Sequence, residues 1–106
     1  MEKSRWVTRF FKRNIKLMKI SVELFGVARE FSKTKYLEFN FSKSCKIIDI
    51  KKKLYEHVDN KFNGNLNYKE IIKSSAFCSD KDQLIKENQI LSKNQIIGII
   101  PPIGGG

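Results

Sequence analysis

The last six residues of the chain have types that suit chemistry at a chain terminus: Pro101, Pro102, Ile103 and then three glycines. Proline lacks an N–H donor and holds φ near about −65°, so this pair ends strand pairing and stiffens the exit from a sheet. Because glycine carries no Cβ, Gly104, Gly105 and Gly106 form a tail thin enough for a narrow channel. The carboxylate of Gly106 is then the reactive group at its tip. A frayed terminus without a role is the alternative.

No other constellation in the chain points to catalysis. Cys45 and Cys78 are far apart and form no C-x-x-C pair, and His57 is the single histidine. These residues predict no metal site and two free thiols. His57 has helical spacing from apolar neighbours, and Cys78 lies in a predicted strand, so both are expected to be packing residues.

The elements that would position this tail follow from hydrophobic periodicity. Alternation predicts strands around residues 20–24 and 37–41, and helical spacing predicts a helix from Ile47 to Val58 with Ser44 as its N-cap. The asparagine-rich segment 59–69 is predicted to be a loop. Short strands are predicted near 72–78 and 83–85, then a turn at 92–95 in which Asn94 can adopt a left-handed conformation, and an apolar strand at 96–100.

This order, β-β-α-β-β-β, predicts an α+β fold of the β-grasp type, in which a mixed sheet of about five strands wraps around one main helix. The first and last strands would be parallel neighbours at its centre. The predicted organisation is a basic extension at 1–17, a domain at 18–100 and an extended tail at 101–106. No apolar run approaches the roughly 20 residues of a membrane span.

The net charge of +10 is concentrated at one end of the chain. Residues 1–17, called the leader below, hold six of the 21 basic residues and one of the 11 acidic residues. The leader has a basic stripe at helical spacing and an apolar side that includes Trp6 and Phe10. Three interpretations stay open: an organelle-targeting leader, a segment for an anionic membrane or a partner, and a translated stretch upstream of a start at Met18. The remaining lysines are scattered, which argues against nucleic-acid binding.

Three segments resemble the small subunit of molybdopterin synthase, a ubiquitin-like sulfur carrier. Residues 97–106 resemble its apolar strand, Pro-Pro and terminal Gly-Gly, and residues 25–30 resemble its F-A-x-x-R-E segment. Residues 91–95 stand where that family has an L-x-x-G-D turn. The thiamine sulfur carrier and the ubiquitin-related modifier share the fold and the Gly-Gly end but generally lack Pro-Pro. This chain departs from the family in Gly104, in its non-acidic turn and in its basic charge.

The resemblance implies a carrier of sulfur in molybdenum cofactor biosynthesis. An activating enzyme with a sulfurtransferase would use ATP to adenylate Gly106, and a persulfide would then convert the glycine to a thiocarboxylate. The tail, with Pro101, Pro102, Gly104 and Gly105, would thread into the large synthase subunit, in an expected heterotetramer, and donate sulfur to cyclic pyranopterin monophosphate. The chain would act as a sulfur-donating subunit without catalytic side chains or a permanently bound cofactor, in the cytoplasm or, with the leader, in an organelle.

Strand alternation also predicts a docking face. If Ile97 and Ile99 point at the helix, Ile96 and Ile100 lie on the opposite face with Phe25, and an exposed apolar patch of this kind usually marks an interface. The alternative is that the segment 59–69 covers this patch.

Other functions stay open from the sequence. These are a carrier for thiamine synthesis or tRNA thiolation, a ubiquitin-like modifier, and a β-grasp module that binds RNA or protein through its lysines.

Overall fold

The computed structural model describes residues 17–102, and residues 1–16 and 103–106 lie outside the described range. Four strands and two α-helices make up the fold. In chain order they are β1 (Met18–Leu24), a 3-10 segment (Gly26–Phe31), β2 (Tyr36–Phe41), α1 (Ile47–Phe62), α2 (Leu66–Ser74), β3 (Ala76–Ser79) and β4 (Gln95–Ile100). The predicted leader and the glycines of the tail therefore fall almost entirely outside the described residues.

The four strands form one mixed sheet in the order β2-β1-β4-β3. β1 is antiparallel to β2, with Val22 opposite Leu37, and parallel to β4, with Val22 opposite Ile97. β3 is antiparallel to β4. The expectation that the first and last strands are parallel neighbours at the centre of the sheet is confirmed, and the architecture is the predicted α+β β-grasp.

One face of the sheet and the apolar side of α1 share a single core. The inward residues of β1 are buried, from Met18 to Leu24 at every second position, because strand side chains alternate between the two faces. Along α1 the buried residues recur at helical spacing: Ile47, Ile50, Leu54 and Val58. Ile97 and Ile99 of β4 complete the core at 1% and 0% exposure. On the opposite face, most side chains of the described strands are partly or fully exposed.

The segment 59–69, predicted to be a loop, instead contains the end of one helix and the start of another. α1 ends where Asn63 and Gly64 adopt left-handed φ values of 52° and 70°. Asn65 then caps α2, since its side-chain oxygen accepts a hydrogen bond from the Tyr68 N–H at 3.0 Å. Asn63 and Asn65 are therefore helix-capping residues, whereas Asn60 and Asn67 lie within α1 and α2. Ile72, predicted to lie in a strand, is in α2.

The sheet has four strands and not the predicted five. The chain around Gln83–Ile85 does return along β3, but it forms only the isolated bridge between Cys78 and Leu84. Two backbone hydrogen bonds hold it there, including one from the Ile85 N–H to the Phe77 oxygen at 2.8 Å. The turn before it, with Asp82 at φ 59°, leaves too short a paired length for a strand.

The predicted N-cap of α1 is wrong, and Asn94 does not use the left-handed conformation that is open to it. The N-cap of α1 is Lys46 and not Ser44, and the Lys46 backbone N–H donates to the Asp49 carboxylate at 2.8 Å. Asn94 does not have a positive φ. Its side-chain oxygen accepts a hydrogen bond from the Lys19 N–H at 2.8 Å, which ties the start of β4 to the start of β1. Among residues 17–102, no helix is both long and apolar enough to cross a bilayer.

Candidate docking face and C-terminal tail

The described part of the tail leaves the domain at the end of the central strand β4. Pro101 is buried, whereas Pro102 is exposed. Gly26 packs beside Pro101, because a Cβ built at Gly26 would lie 3.9 Å from the Cδ and Cγ atoms of that ring. Gly26 has a left-handed φ of 56°, a conformation that glycine adopts without strain. The direction of the chain is therefore fixed at Pro101, three residues before the glycines begin.

The open face of the sheet carries an apolar patch next to this exit, defined here as Phe25, Ile96, Gly98 and Ile100. Ile96, Ile100 and Phe25 are 43%, 37% and 39% exposed. The structure therefore has the predicted alternation, with these side chains on the face of the sheet opposite the core. The segment 59–69 does not bury them. Their role in binding a partner remains a prediction.

The ring of Phe25 lies directly on the backbone of Gly98. A Cβ built at Gly98 would meet Cε2 of Phe25 at 2.7 Å and Sγ of Cys78 at 3.2 Å, so only glycine allows this approach. Gly98 is buried for that reason, although its side of the strand faces outward. The Phe25 ring therefore packs against β4 at the centre of the patch.

Cys78 and Ala76 extend the apolar patch onto β3, and the sequence did not single them out as part of a face. The register pairs Ala76 with Ile100 and Cys78 with Gly98, so they border the patch along its edge. Their position depends on the β3–β4 register, which periodicity alone does not determine. Toward β2 the same face becomes polar, with ion pairs between Lys19 and Glu38 at 3.7 Å and between Lys35 and Glu23 at 3.4 Å.

A groove of about 300 Å³ lies on the other side of the tail root. Pro101 and Pro102 form one wall, and the others come from the 3-10 segment and α2. The lining residues are Val27, Asn67, Glu70, Ile71 and Ser74. The sequence prediction did not include this groove, because residues 59–69 were predicted to be a loop and residues near 72–78 a strand. The helical spacing of Asn67, Glu70, Ile71 and Ser74 was the signal that could have revealed it.

The candidate chemical residues His57 and Cys45 are engaged elsewhere in the described part of the chain. The Nε2 atom of His57 lies 2.6 Å from the Phe31 carbonyl oxygen, which ties α1 to the 3-10 segment. Cys45 is buried, and its burial, together with the nearby Asp49 carboxylate, raises the pKa of its thiol to about 11. Cys45 and Cys78 are both free thiols. Within residues 17–102, no three His, Cys, Asp or Glu side chains are grouped as a metal site requires.

Solved structures of other proteins share this fold. A Pyrococcus furiosus protein provisionally named molybdopterin converting factor, subunit 1, superposes with a TM-score of 0.59 at 10% identity, covering 81% of this chain and 99% of its own. The Haloferax volcanii HVO 2177 protein superposes with a TM-score of 0.58 at 13% identity, covering 85% and 88%. No family model and no curated protein sequence matches the chain.

At such identities the likeness establishes the fold alone. The chain has the ubiquitin-like β-grasp fold, and one protein with that fold is named as a subunit of a molybdopterin converting factor.

Proposed function

We propose that this chain is a sulfur carrier for molybdenum cofactor biosynthesis and that the carboxyl group of Gly106 carries the sulfur. The observation that carries the proposal is the exit of the tail: a central strand leads into a buried proline beside an exposed apolar patch. The four residues after Pro102 span up to about 14 Å when extended. A tail of that length would be long enough to enter a partner's active site.

The chemistry assigned to Gly106 needs activation because a carboxylate is a poor electrophile. A carboxylate oxygen attacks the α-phosphate of ATP, pyrophosphate leaves, and a glycyl adenylate forms. The terminal sulfur of a persulfide then attacks the carbonyl carbon and AMP leaves. A second thiol reduces the resulting acyl disulfide and releases the thiocarboxylate. ATP is thus a substrate of the activating enzyme and not a cofactor of this chain.

The described side chains support a division of labour between carrier and partners. His57 is held at the Phe31 carbonyl, and burial keeps the Cys45 thiol protonated at neutral pH. Neither group adjoins the root of the tail. The acid–base groups and the persulfide therefore come from the activating enzyme, its sulfurtransferase and the acceptor enzyme.

Two observations favour molybdenum cofactor biosynthesis over thiamine synthesis or tRNA thiolation as the pathway of this carrier. The tail resembles that of the molybdopterin synthase small subunit, including Pro101 and Pro102. A solved structure with the same fold is named as a converting factor subunit. The expected partner is the large synthase subunit, which would bind the apolar patch, accept the tail and pass sulfur to cyclic pyranopterin monophosphate. A dithiolene needs two sulfurs, so two carriers in the thiocarboxylate form are consumed for each product.

A reconstituted reaction tests this proposal. It contains the activating enzyme, a persulfide donor, ATP, the large subunit and cyclic pyranopterin monophosphate. The full chain should yield the dithiolene product. A chain lacking Gly106, and one extended by a single alanine, should fold equally well and yield none, because the reacting carbon is displaced by one residue. Product from the extended chain, with mass spectrometry showing the alanine still attached, would contradict the proposal. Thiolated tRNA or thiamine thiazole formed in parallel reactions, without dithiolene, would reassign the pathway.

A further inference from the structure

The sheet has two edge strands, β2 and β3, and the described chain covers only one of them. The segment after β3 folds back along it: the Ser79 N–H donates to the Gln83 oxygen and the Ile85 N–H donates to the Phe77 oxygen, both at 2.8 Å. Along the outer side of β2, residues 17–102 provide no such segment. Within the described range, β2 is therefore the open edge of the sheet.

The backbone groups of β2 alternate between β1 and this outer side. The Leu24 N–H donates to the Lys35 oxygen at 3.0 Å, and the antiparallel register continues from that pair in steps of two. The odd-numbered residues of β2 therefore bond to β1. The N–H and C=O groups of Tyr36, Glu38 and Asn40 point away from the sheet.

One end of the outer side is already bonded. The hydroxyl group of Thr34 donates to the Tyr36 oxygen at 2.8 Å. No group within residues 17–102 bonds to the outward N–H and C=O groups of Glu38 and Asn40. Two donors and two acceptors at alternate residues are therefore free to pair with an extended chain, which would become a fifth strand.

The side chains along this edge indicate which strand would fit. On the side that faces the core, Leu37, Phe39 and Phe41 are half-buried and pack against the core, and their exposed parts form an apolar shelf. On the other side, Glu38 and Asn40 are exposed and polar. Because neighbouring strands pack through side chains on the same face, an added strand should place apolar residues at alternate positions, beside the apolar shelf.

Three lysines, called the edge lysines below, surround this edge. Lys33 precedes β2 and Lys43 follows it, and both are exposed. The Nζ atom of Lys53, on α1, lies 6.0 Å from the centre of the Phe41 ring. A strand that packs on the apolar shelf would therefore have positive charge near both of its ends, which favours acidic residues at those ends.

The nearby carboxylates do not cancel this charge. Glu23 is paired with Lys35 at 3.4 Å, and Glu38 is paired with Lys19 at 3.7 Å. A second copy of this chain is a poorer occupant of the edge, because antiparallel pairing of two β2 strands would bring the edge lysines of one copy next to those of the other.

We propose that the open edge of β2 binds an extended segment of a partner protein as a fifth strand, and that this segment has alternating apolar residues and acidic residues at both ends. The backbone groups of Glu38 and Asn40 pair with it, the apolar shelf contacts its apolar side chains, and the edge lysines select its acidic ends. β1 separates this edge from the β4 residues of the apolar patch. The inference is independent of the sulfur chemistry.

A synthetic peptide tests this proposal on the full chain. The probe is Asp-Asp-Val-Thr-Val-Thr-Val-Asp-Asp with fluorescein at its N-terminus, and its binding is followed by fluorescence anisotropy. A matched peptide with lysine in place of each aspartate should bind at least ~10-fold more weakly, because it meets the edge lysines with like charge. Methylation of the valine backbone nitrogens in one peptide, and of the threonine nitrogens in another, should abolish binding in one case only, because alternate N–H groups of a strand point to opposite sides.

A proline substitution tests the backbone pairing from the side of the chain. Asn40→Pro removes one outward donor and keeps the bonds between β2 and β1, and Asn40→Ala is its matched control. The proline variant should bind the aspartate peptide at least ~10-fold more weakly than the alanine variant. Urea unfolding checks that both variants are folded. If the proline variant is not folded, the methylated peptides test the same hydrogen bonds without changing the chain.

Charge reversal tests the edge lysines. Lys43→Glu combined with Lys53→Glu should weaken binding of the aspartate peptide at least ~10-fold, because two attractive charges become repulsive. Lys81→Glu combined with Lys86→Glu makes the same change in net charge after β3, at the other side of the sheet. This control should change the affinity less than ~2-fold at about 0.15 M salt.

Hydrogen exchange measured by NMR locates the peptide on the full chain. In the free chain, the amides of Glu38 and Asn40 should exchange rapidly and those of Leu37 and Phe39 slowly, because only the latter pair bonds to β1. Saturation with the aspartate peptide should slow exchange at Glu38 and Asn40 at least ~10-fold.

Several results would overturn the proposal. They are no saturable binding of the aspartate peptide, equal binding of the aspartate and lysine peptides, equal affinities of Asn40→Pro and Asn40→Ala, or unchanged exchange at Glu38 and Asn40 with peptide bound. Slow exchange of these two amides in the free chain would also overturn it, because the edge would already be occupied. Sedimentation would then identify the occupant, since a dimer points to a second copy and a monomer points to residues outside 17–102.

Discussion

Replacing Gly98 with alanine tests the contact at the centre of the apolar patch. The new methyl carbon would lie 2.7 Å from Cε2 of Phe25, about 1 Å inside normal contact distance. Since the ring is 39% exposed, it has solvent to move into, and β4 need not shift. Displacing the Phe25 ring should lower the free energy of unfolding by about 1–2 kcal/mol, because the ring loses part of its buried area. Alanine in a strand recovers about 0.5–1 kcal/mol over glycine, so the net loss is about 1 kcal/mol.

Urea unfolding of Gly98→Ala, Phe25→Ala and the double variant measures this contact as a cycle. Without the Phe25 ring the new methyl group has room, so the double variant should be more stable than the sum of the single changes by roughly 0.5–1.5 kcal/mol. In a pull-down with the large synthase subunit, Gly98→Ala should bind at least ~10-fold more weakly, because the new methyl group displaces the Phe25 ring from its position on β4. Additive free energies, or unchanged binding by the stably folded variant, would refute this description of the patch.

Three further predictions concern the strand faces, the thiols and the strand junction. Ile97→Asp should unfold the domain, since an unpaired carboxylate in the core removes several kcal/mol from a marginal free energy of unfolding. Ile100→Asp should stay folded and should lose only binding in the pull-down. If thermal unfolding shows that Ile100→Asp unfolds the domain and Ile97→Asp does not, the two faces of β4 are misassigned. Because the Cys45 pKa is raised from 9.0 to about 11, the folded state holds its proton longer than the unfolded state, so stability should fall as pH rises from about 9 to 11. In urea titrations, Cys45→Ala should remove that part of the decrease in the free energy of unfolding with pH. Iodoacetamide at pH about 8 should label Cys78 before Cys45. Labelling of both thiols at an equal rate would contradict the burial of Cys45. Asn94→Ala should lose about 1 kcal/mol in urea unfolding, because the hydrogen bond to the start of β1 disappears, and an unchanged midpoint would show that this bond is not formed.

Periodicity was sufficient for the parts of the fold with one clear repeat. Alternation in β1 and β4 placed Ile97 in the core and Ile96 on the open face, and helical spacing located α1 from Ile47. These predictions hold because burial of one face selects both the element and its orientation. The parallel pairing of β1 with β4 followed from the order of elements.

The errors came from residues whose types fit two structures. Asn63, Gly64 and Asn65 are common in loops, and here they end one helix and begin the next, so α2 was missed. Residues 83–85 run along β3 but form too few hydrogen bonds for a strand. The packing of the Phe25 ring on Gly98 joins the end of β1 to β4, and no local pattern in the sequence reveals this contact.

The measurement that tests the central proposal most directly is the intact mass of the chain isolated from its host under mild, non-reducing conditions. A carrier should show a fraction of molecules heavier by the exchange of one oxygen for one sulfur, and fragmentation should place this gain at Gly106. The heavier fraction should rise when the acceptor enzyme is absent, since the thiocarboxylate form of the carrier then accumulates. A chain that ends at Gly106 and carries no such gain, even with the activating enzyme and sulfurtransferase in excess, would contradict the account.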